Sequence, residues 1–151
     1  MKSVLIAVLG ALVLASPVAG KVGDPAAAFA SGPLMNQLAL SPQNPVPLSG
    51  PMAGAFLHRF VSDDGTITVD LVVREGRIEQ QVLYIPFDMQ RGVQVGWFLQ
   101  DAIGSVVGAT QGLIAFRAAV INGRETFHSF GGYVMRFTPL DAAWLRVVVN
   151  R

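Results

Sequence analysis

Two turn signals bracket a short alternating run near the middle of this 151-residue chain and leave that region little freedom. Asp64-Gly65 and Glu75-Gly76 each place a glycine where a tight hairpin needs a positive φ. Between them Ile67, Val69, Leu71 and Val73 fall on one side of an extended strand, and Thr66, Thr68, Asp70 and Arg74 on the other. That is the pattern of a half-buried strand. The stretch from Phe56 to Ile85 therefore reads as three successive antiparallel strands, and the rest of the chain must be organised around the sheet they begin.

The first twenty residues, MKSVLIAVLGALVLASPVAG, carry one basic residue at Lys2, an apolar core from Val4 to Leu14 and a small-residue close. This is the form of a secretory signal peptide. Val18 and Gly20 are small enough for the positions three before and one before a cut, so cleavage is expected between Gly20 and Lys21. The apolar core is short for a bilayer, where about 20 residues are needed, so no span is expected after processing. The sequence contains no cysteine, which closes the lipoprotein route and excludes disulfides, thiolate nucleophiles and sulfur-ligated zinc. The expected location is periplasmic or secreted.

Removing Lys2 from the eleven basic residues leaves ten against ten acidic ones. A nucleic-acid binder would carry a basic stripe, whereas the arginines here are scattered among acids, so no nucleic-acid partner is expected. The remaining 131 residues suffice for one core without a staple. The domain reading is a leader over 1–20, a short helix and proline-rich connector over 21–51, and a single α+β domain over 52–151.

Asp24-Pro25 reads as a helix start, the aspartate as cap and the proline in the first turn, with Ala26 to Ala30 helical. Gly32-Pro33 interrupts it, and Leu34 to Leu40 resumes the apolar stripe. Four prolines between Ser41 and Pro51 force an extended connector along the sheet, with Val46 and Leu48 able to bury alternate side chains. From Gly92 to Gly108 two periods compete. Val93, Val95, Trp97 and Leu99 alternate as in a strand, but Val95, Phe98, Leu99, Ala102, Ile103 and Val106 form a longer helical stripe, and helix is the expectation. Glycines at 92, 96, 104 and 108 would then lie along one smooth helix face pressed on the sheet. Leu113 to Ile121, Glu125 to Phe137 and Trp144 to Val149 read as strands, with a hairpin at Asn122-Gly123 and a bulge or bend at Gly131-Gly132.

The expected fold is thus α+β, an antiparallel sheet with helices on one face, with a possible αβββ-αβββ pseudo-repeat. A small all-β barrel or sandwich is the alternative. An exposed edge at Leu145 to Val149 would let two copies pair as a homodimer.

Few residues carry recognisable chemistry. His58 and His128 are the only histidines, and no HxH or HExxH spacing supports a metal site. Asp70 and Glu79 could face each other across the second hairpin beside Arg74 and Arg77, which reads as a solvated charge ladder. No GxSxG, GxGxxG or GxxxxGK[ST] motif occurs. No catalytic residue, metal or cofactor is assigned. The leading expectation is a non-catalytic binding or accessory protein that takes a protein partner or an apolar small molecule on the sheet face left open by the helices. Trp97, Phe98, His58, His128 and Tyr133 are the candidate contact residues. A small hydrolase or isomerase using a histidine in an apolar pocket, or a hydrophobic-ligand carrier with a cavity lined by Trp97, Phe98, Phe127 and Tyr133, are the alternatives.

Overall fold

The computed structural model describes residues 20–151. The expected leader lies outside the described residues except for Gly20. Two short helices, α1 (Ala26–Ala30) and α2 (Leu34–Gln37), lead into the edge strands β1 (Leu40–Pro42) and β2 (Val46–Pro47). The three expected strands follow as β3 (Ala55–Ser62), β4 (Thr68–Arg74) and β5 (Arg77–Pro86). Next come helices α3 (Gly92–Ile103) and α4 (Val106–Asn122), then β6 (Thr126–Phe130), β7 (Tyr133–Pro139) and β8 (Trp144–Asn150). The strands form one antiparallel sheet in the order β1-β3-β4-β5-β8-β7-β6, with β2 also paired to β3. The fold is α+β.

The two glycine turns behave as their sequence requires. Gly65 has φ +72°, and Glu75 and Gly76 both have positive φ, at +51° and +76°. In the first turn one oxygen of Asp64 accepts from the Ser62 hydroxyl at 2.7 Å and from the Thr66 amide at 3.0 Å. These bonds, with that from the Thr66 hydroxyl, hold the Asp64 carboxyl down to about 2.

The described α-helices lie against one face. Phe29, Leu34, Phe98, Leu99, Leu113 and Phe116 share one core with Val69, Leu71, Leu83, Ile85, Met135, Phe137 and the β8 residues Leu145, Val147 and Val149. Phe29 packs on Phe60 with ring centroids 4.8 Å apart, and Phe116 on Phe137 at 6.5 Å. The alternate residues of the same strands, such as Thr68, Gln80, Tyr84, Arg146 and Arg136, belong to the other face.

Several expectations are corrected. Leu113 to Ile121 is the body of α4, not a strand. Its apolar run buries Leu113, Phe116 and Ala119 at helical spacing, and the Ser105 hydroxyl oxygen caps the start by accepting from the Gly108 N–H at 3.1 Å. Asn122-Gly123 closes that helix instead of turning a hairpin: Gly123, at φ +62°, donates to the Ala119 carbonyl. Glu125 to Phe137 is accordingly two strands, and Gly131-Gly132, with φ of +56° and +84°, is the hairpin between β6 and β7. The glycine series does not lie on one helix, because Gly104 ends α3 in the left-handed conformation. Close approach is instead built at Gly108 and Gly112, where an added Cβ would fall 2.5 Å from Phe130 and 2.8 Å from the Met135 sulfur.

The remaining corrections concern edges and caps. The segment Leu145–Val149 is not an edge, since β8 sits between β5 and β7 at the centre of the sheet. Pro25 itself occupies the N-cap of α1, with no side-chain cap from Asp24. Val46 of the connector is 54% exposed, while Leu48 is half-buried.

Candidate functional site

The side of the sheet that none of the described helices covers is built from the alternate residues of β3, β4, β5, β8 and β7. Register makes its layout explicit. Tyr84, Arg146 and Thr138 share one rung, Val82, Val148 and Arg136 the next, and Gln80, Asn150 and Val134 the third. Extended toward β3, the middle rung continues through Asp70 to Arg59. These rungs enclose a hollow of about 320 Å³ lined by Gln80, Val82, Tyr84, Val134, Arg136, Arg146, Val148 and Asn150. Its floor is valine and its polar groups come from arginine, tyrosine and amides.

Charge on this face is unevenly satisfied. Asp70 is buried, and Arg59 grips it with two bonds of 2.8 and 2.7 Å, one to each carboxylate oxygen. The bond to Asp70 raises the Arg59 pKa. Arg74 similarly donates to Glu79 at 2.8 Å and to the Ala53 carbonyl at 2.9 Å. Asp70 and Glu79 therefore serve separate arginines and do not form a facing pair. In the hollow itself the balance is different. Arg136 stands 3.8 Å from Glu125, and Glu125 also accepts from the Thr138 hydroxyl. The Arg146 Nε is buried and donates to nothing among the described residues. A guanidinium N–H kept from water without an acceptor is costly, so a carboxylate or similar oxyanion arriving over the hollow would satisfy it. The valine floor offers apolar contact to the rest of such a ligand.

The five residues singled out from sequence are distributed differently. Phe98 and Tyr133 are buried in the core beneath the helices, and Trp97 is half-buried against it. Tyr133 donates toward the Val22 carbonyl at 3.4 Å and carries the Arg151 guanidinium over its ring at 4.9 Å. His58, on β3, lies opposite Leu71 on the helix side, and His128, on β6, lies opposite Met135 and within 3.0 Å of the Gln111 side-chain oxygen. The two strands stand five strand spacings apart in the sheet order, or about 24 Å. The structure does not bring the histidines together, and among the described residues no group of three metal-ligating side chains forms. Trp97, Phe98, Phe127 and Tyr133 do not line one cavity: Phe127 is 71% exposed on the opposite face from buried Phe98 and Tyr133.

Sequence reasoning passed over Arg146, Tyr84, Gln80 and Asn150. The signal for Arg146 was present in the alternation of Trp144, Arg146 and Val148 with Leu145, Val147 and Val149. What it lacked was the position of β8 at the sheet centre. Among the described residues no helix is long and apolar enough to cross a membrane. Comparison with protein-family models, curated proteins and solved structures finds no match.

Proposed function

We propose that this chain is an exported, non-catalytic binding protein whose open sheet face receives an extended, acid-bearing segment of a partner protein. The observation that carries this reading is the buried Nε of Arg146, a residue lining the hollow, which has no acceptor among the described residues. Arginine suits a carboxylate because its planar fork can donate two parallel bonds. The neighbouring acids cannot take that role: Asp70 is held by Arg59 and Glu79 by Arg74. An extended segment suits the site, since Val82 and Val148 share one rung and Val134 sits on the next, giving continuous apolar contact across three neighbouring strands. The wide separation of His58 from His128 favours binding over chemistry. Export rests on the leader-like opening of the sequence.

Site-specific photocrosslinking in exporting cells tests this. A photoreactive residue at position 84 should trap one defined protein, and the adduct should vanish when Arg146→Glu is added. The same probe at Ile114, exposed on α4, should trap nothing specific. A specific adduct at position 114 with none at 84 would move the interface to the helices and sink the proposal.

A further inference from the structure

The chain holds a second unmatched set of polar atoms, on the covered side of the sheet. Asp101, in the last turn of α3, is 3% exposed, and neither of its carboxylate oxygens has a hydrogen-bond partner. Beside it on the central strand β5 is Gln81, fully buried, whose side-chain oxygen is also without a partner. The Gln81 amide N–H donates to the carbonyl of Gly20. Three buried acceptors are therefore left over, and an unpaired buried acceptor is expensive.

The N-terminal segment runs directly over this pocket. The Val22 N–H donates to the Ala102 carbonyl at 2.9 Å, and the Lys21 side chain lies along Gly104, 3.1 Å from where a Cβ would be. Gly20 is buried against Phe29, which would sit 2.6 Å from an added Cβ. The Gly20–Lys21 peptide bond is thus held between Gln81 and the end of α3. That is the bond expected to be cut.

We propose that Asp101 and Gln81 form a receptor for the α-ammonium of Lys21 that is created when the leader is removed. This inference rests on the export reading. Hydrolysis adds water across the Gly20–Lys21 bond; Gly20 departs as a carboxylate on the leader, and the Lys21 nitrogen takes up a proton to become an ammonium. Its three N–H donors match the three orphan acceptors, two on Asp101 and one on Gln81. Departure of Gly20 also frees the Gln81 amide to turn its N–H toward Asp101. Processing then exchanges an uncompensated buried carboxyl for a buried ion pair, so the fold gains stability once the leader is gone.

Among the described residues no side-chain cation does this. The charged groups on and beside the N-terminal segment are Lys21 and Asp24 within it, and Arg77 and Arg151, which both lie against Gly23. Arg77 donates to the Gly23 carbonyl at 3.0 Å, Arg151 lies over Tyr133, and no ion pair to Asp101 forms among the described residues. Asp24 adds repulsion. With Gly20 still attached, burial pushes the Asp101 carboxyl up to about 8, and the Asp24 charge adds to the shift. A folded-state pKa above the unfolded one means that stability is full below about pH 4 and declines as pH rises toward 8. Pairing with the ammonium removes that decline.

The test is a cycle between the state of the N-terminus and residue 101. The chain released scarlessly to begin at Lys21, the same chain acetylated on its α-amine, and the Asp101→Asn variant of each are unfolded in denaturant at pH 7. With a free amine, Asp101→Asn should lower the folding constant by about 100-fold or more. In the acetylated chain it should change the constant by less than about threefold, or raise it. Equal losses in both would overturn the pairing. Should a variant fail to fold, carbon-13 NMR of the Asp101 carboxyl in the two parent chains decides instead. It should titrate below about pH 5 with the free amine and well above that when acetylated; identical titrations would overturn the inference. The mass of the protein recovered from exporting cells checks the premise separately, since a mature chain beginning elsewhere contradicts the processing and leaves the result of the cycle intact.

Discussion

Strand β5 shows two kinds of surface on one backbone. Toward the helices it presents Ile78, Leu83 and Ile85, all nearly or fully buried, with Gln81 as the single polar intrusion. Toward the opposite side it presents Gln80, Val82 and Tyr84, which line the hollow. The covered face is specified by volume and the open face by charge and hydrogen-bonding capacity. The comparison teaches that stability and recognition are separated here by a period of two, so a neighbouring residue on the same strand can belong to an unrelated task. It also assigns each face its own expected response to substitution.

The largest effect should come from emptying the covered face. Leu83→Ala, at a fully buried position, is expected to cost about 2–5 kcal/mol in denaturant unfolding. A loss below about 1 kcal/mol would mean that the helices do not pack there. Filling the close approach between helix and sheet should cost less: Gly112→Ala drives a methyl toward the Met135 sulfur and Leu99, 2.8 and 2.9 Å from its Cβ, and the overpacking outweighs the helix gain of alanine over glycine by about 1 kcal/mol. A thermal shift upward would show slack at that contact. On the open face, Asp70→Ala strips Arg59 of its partner, and since Arg59 is 48% exposed water makes good part of the loss, leaving about 1–2 kcal/mol. The smallest change is expected at Gln80→Ala, at a half-buried position lining the hollow, within about 0.5 kcal/mol of wild type in stability, yet with partner capture weakened. A Gln80 variant that unfolds the protein would erase the distinction between the faces.

The sheet was legible because its signals are local. Alternation from Ile67 to Val73 and the glycines at 65 and 76 require nothing from the rest of the chain. The helical half was harder. Leu113 to Ile121 is apolar almost throughout, so its periodicity is weak, and a left-handed glycine at 123 serves a helix end as well as a hairpin. Only the position of Ser105, which caps α4, distinguishes the two readings. The candidate site was less legible still. Arg146, Tyr84 and Gln80 meet only because β8 returns to pair with β5 across a long intervening segment, and neither alternation nor composition encodes that return. Aromatic side chains drew the reading to Phe98 and Tyr133, whose size is used to fill the core.

The most direct test of the open face is nitrogen-15 NMR of the Arg146 Nε during titration with a nine-residue peptide alternating glutamate and valine. The account predicts a saturable shift of that resonance, accompanied by the backbone amides of Gln80, Tyr84 and Val148 and lost in the Arg146→Gln variant. An unmoved Arg146 Nε, with saturable shifts confined to the exposed side of α4, would contradict it.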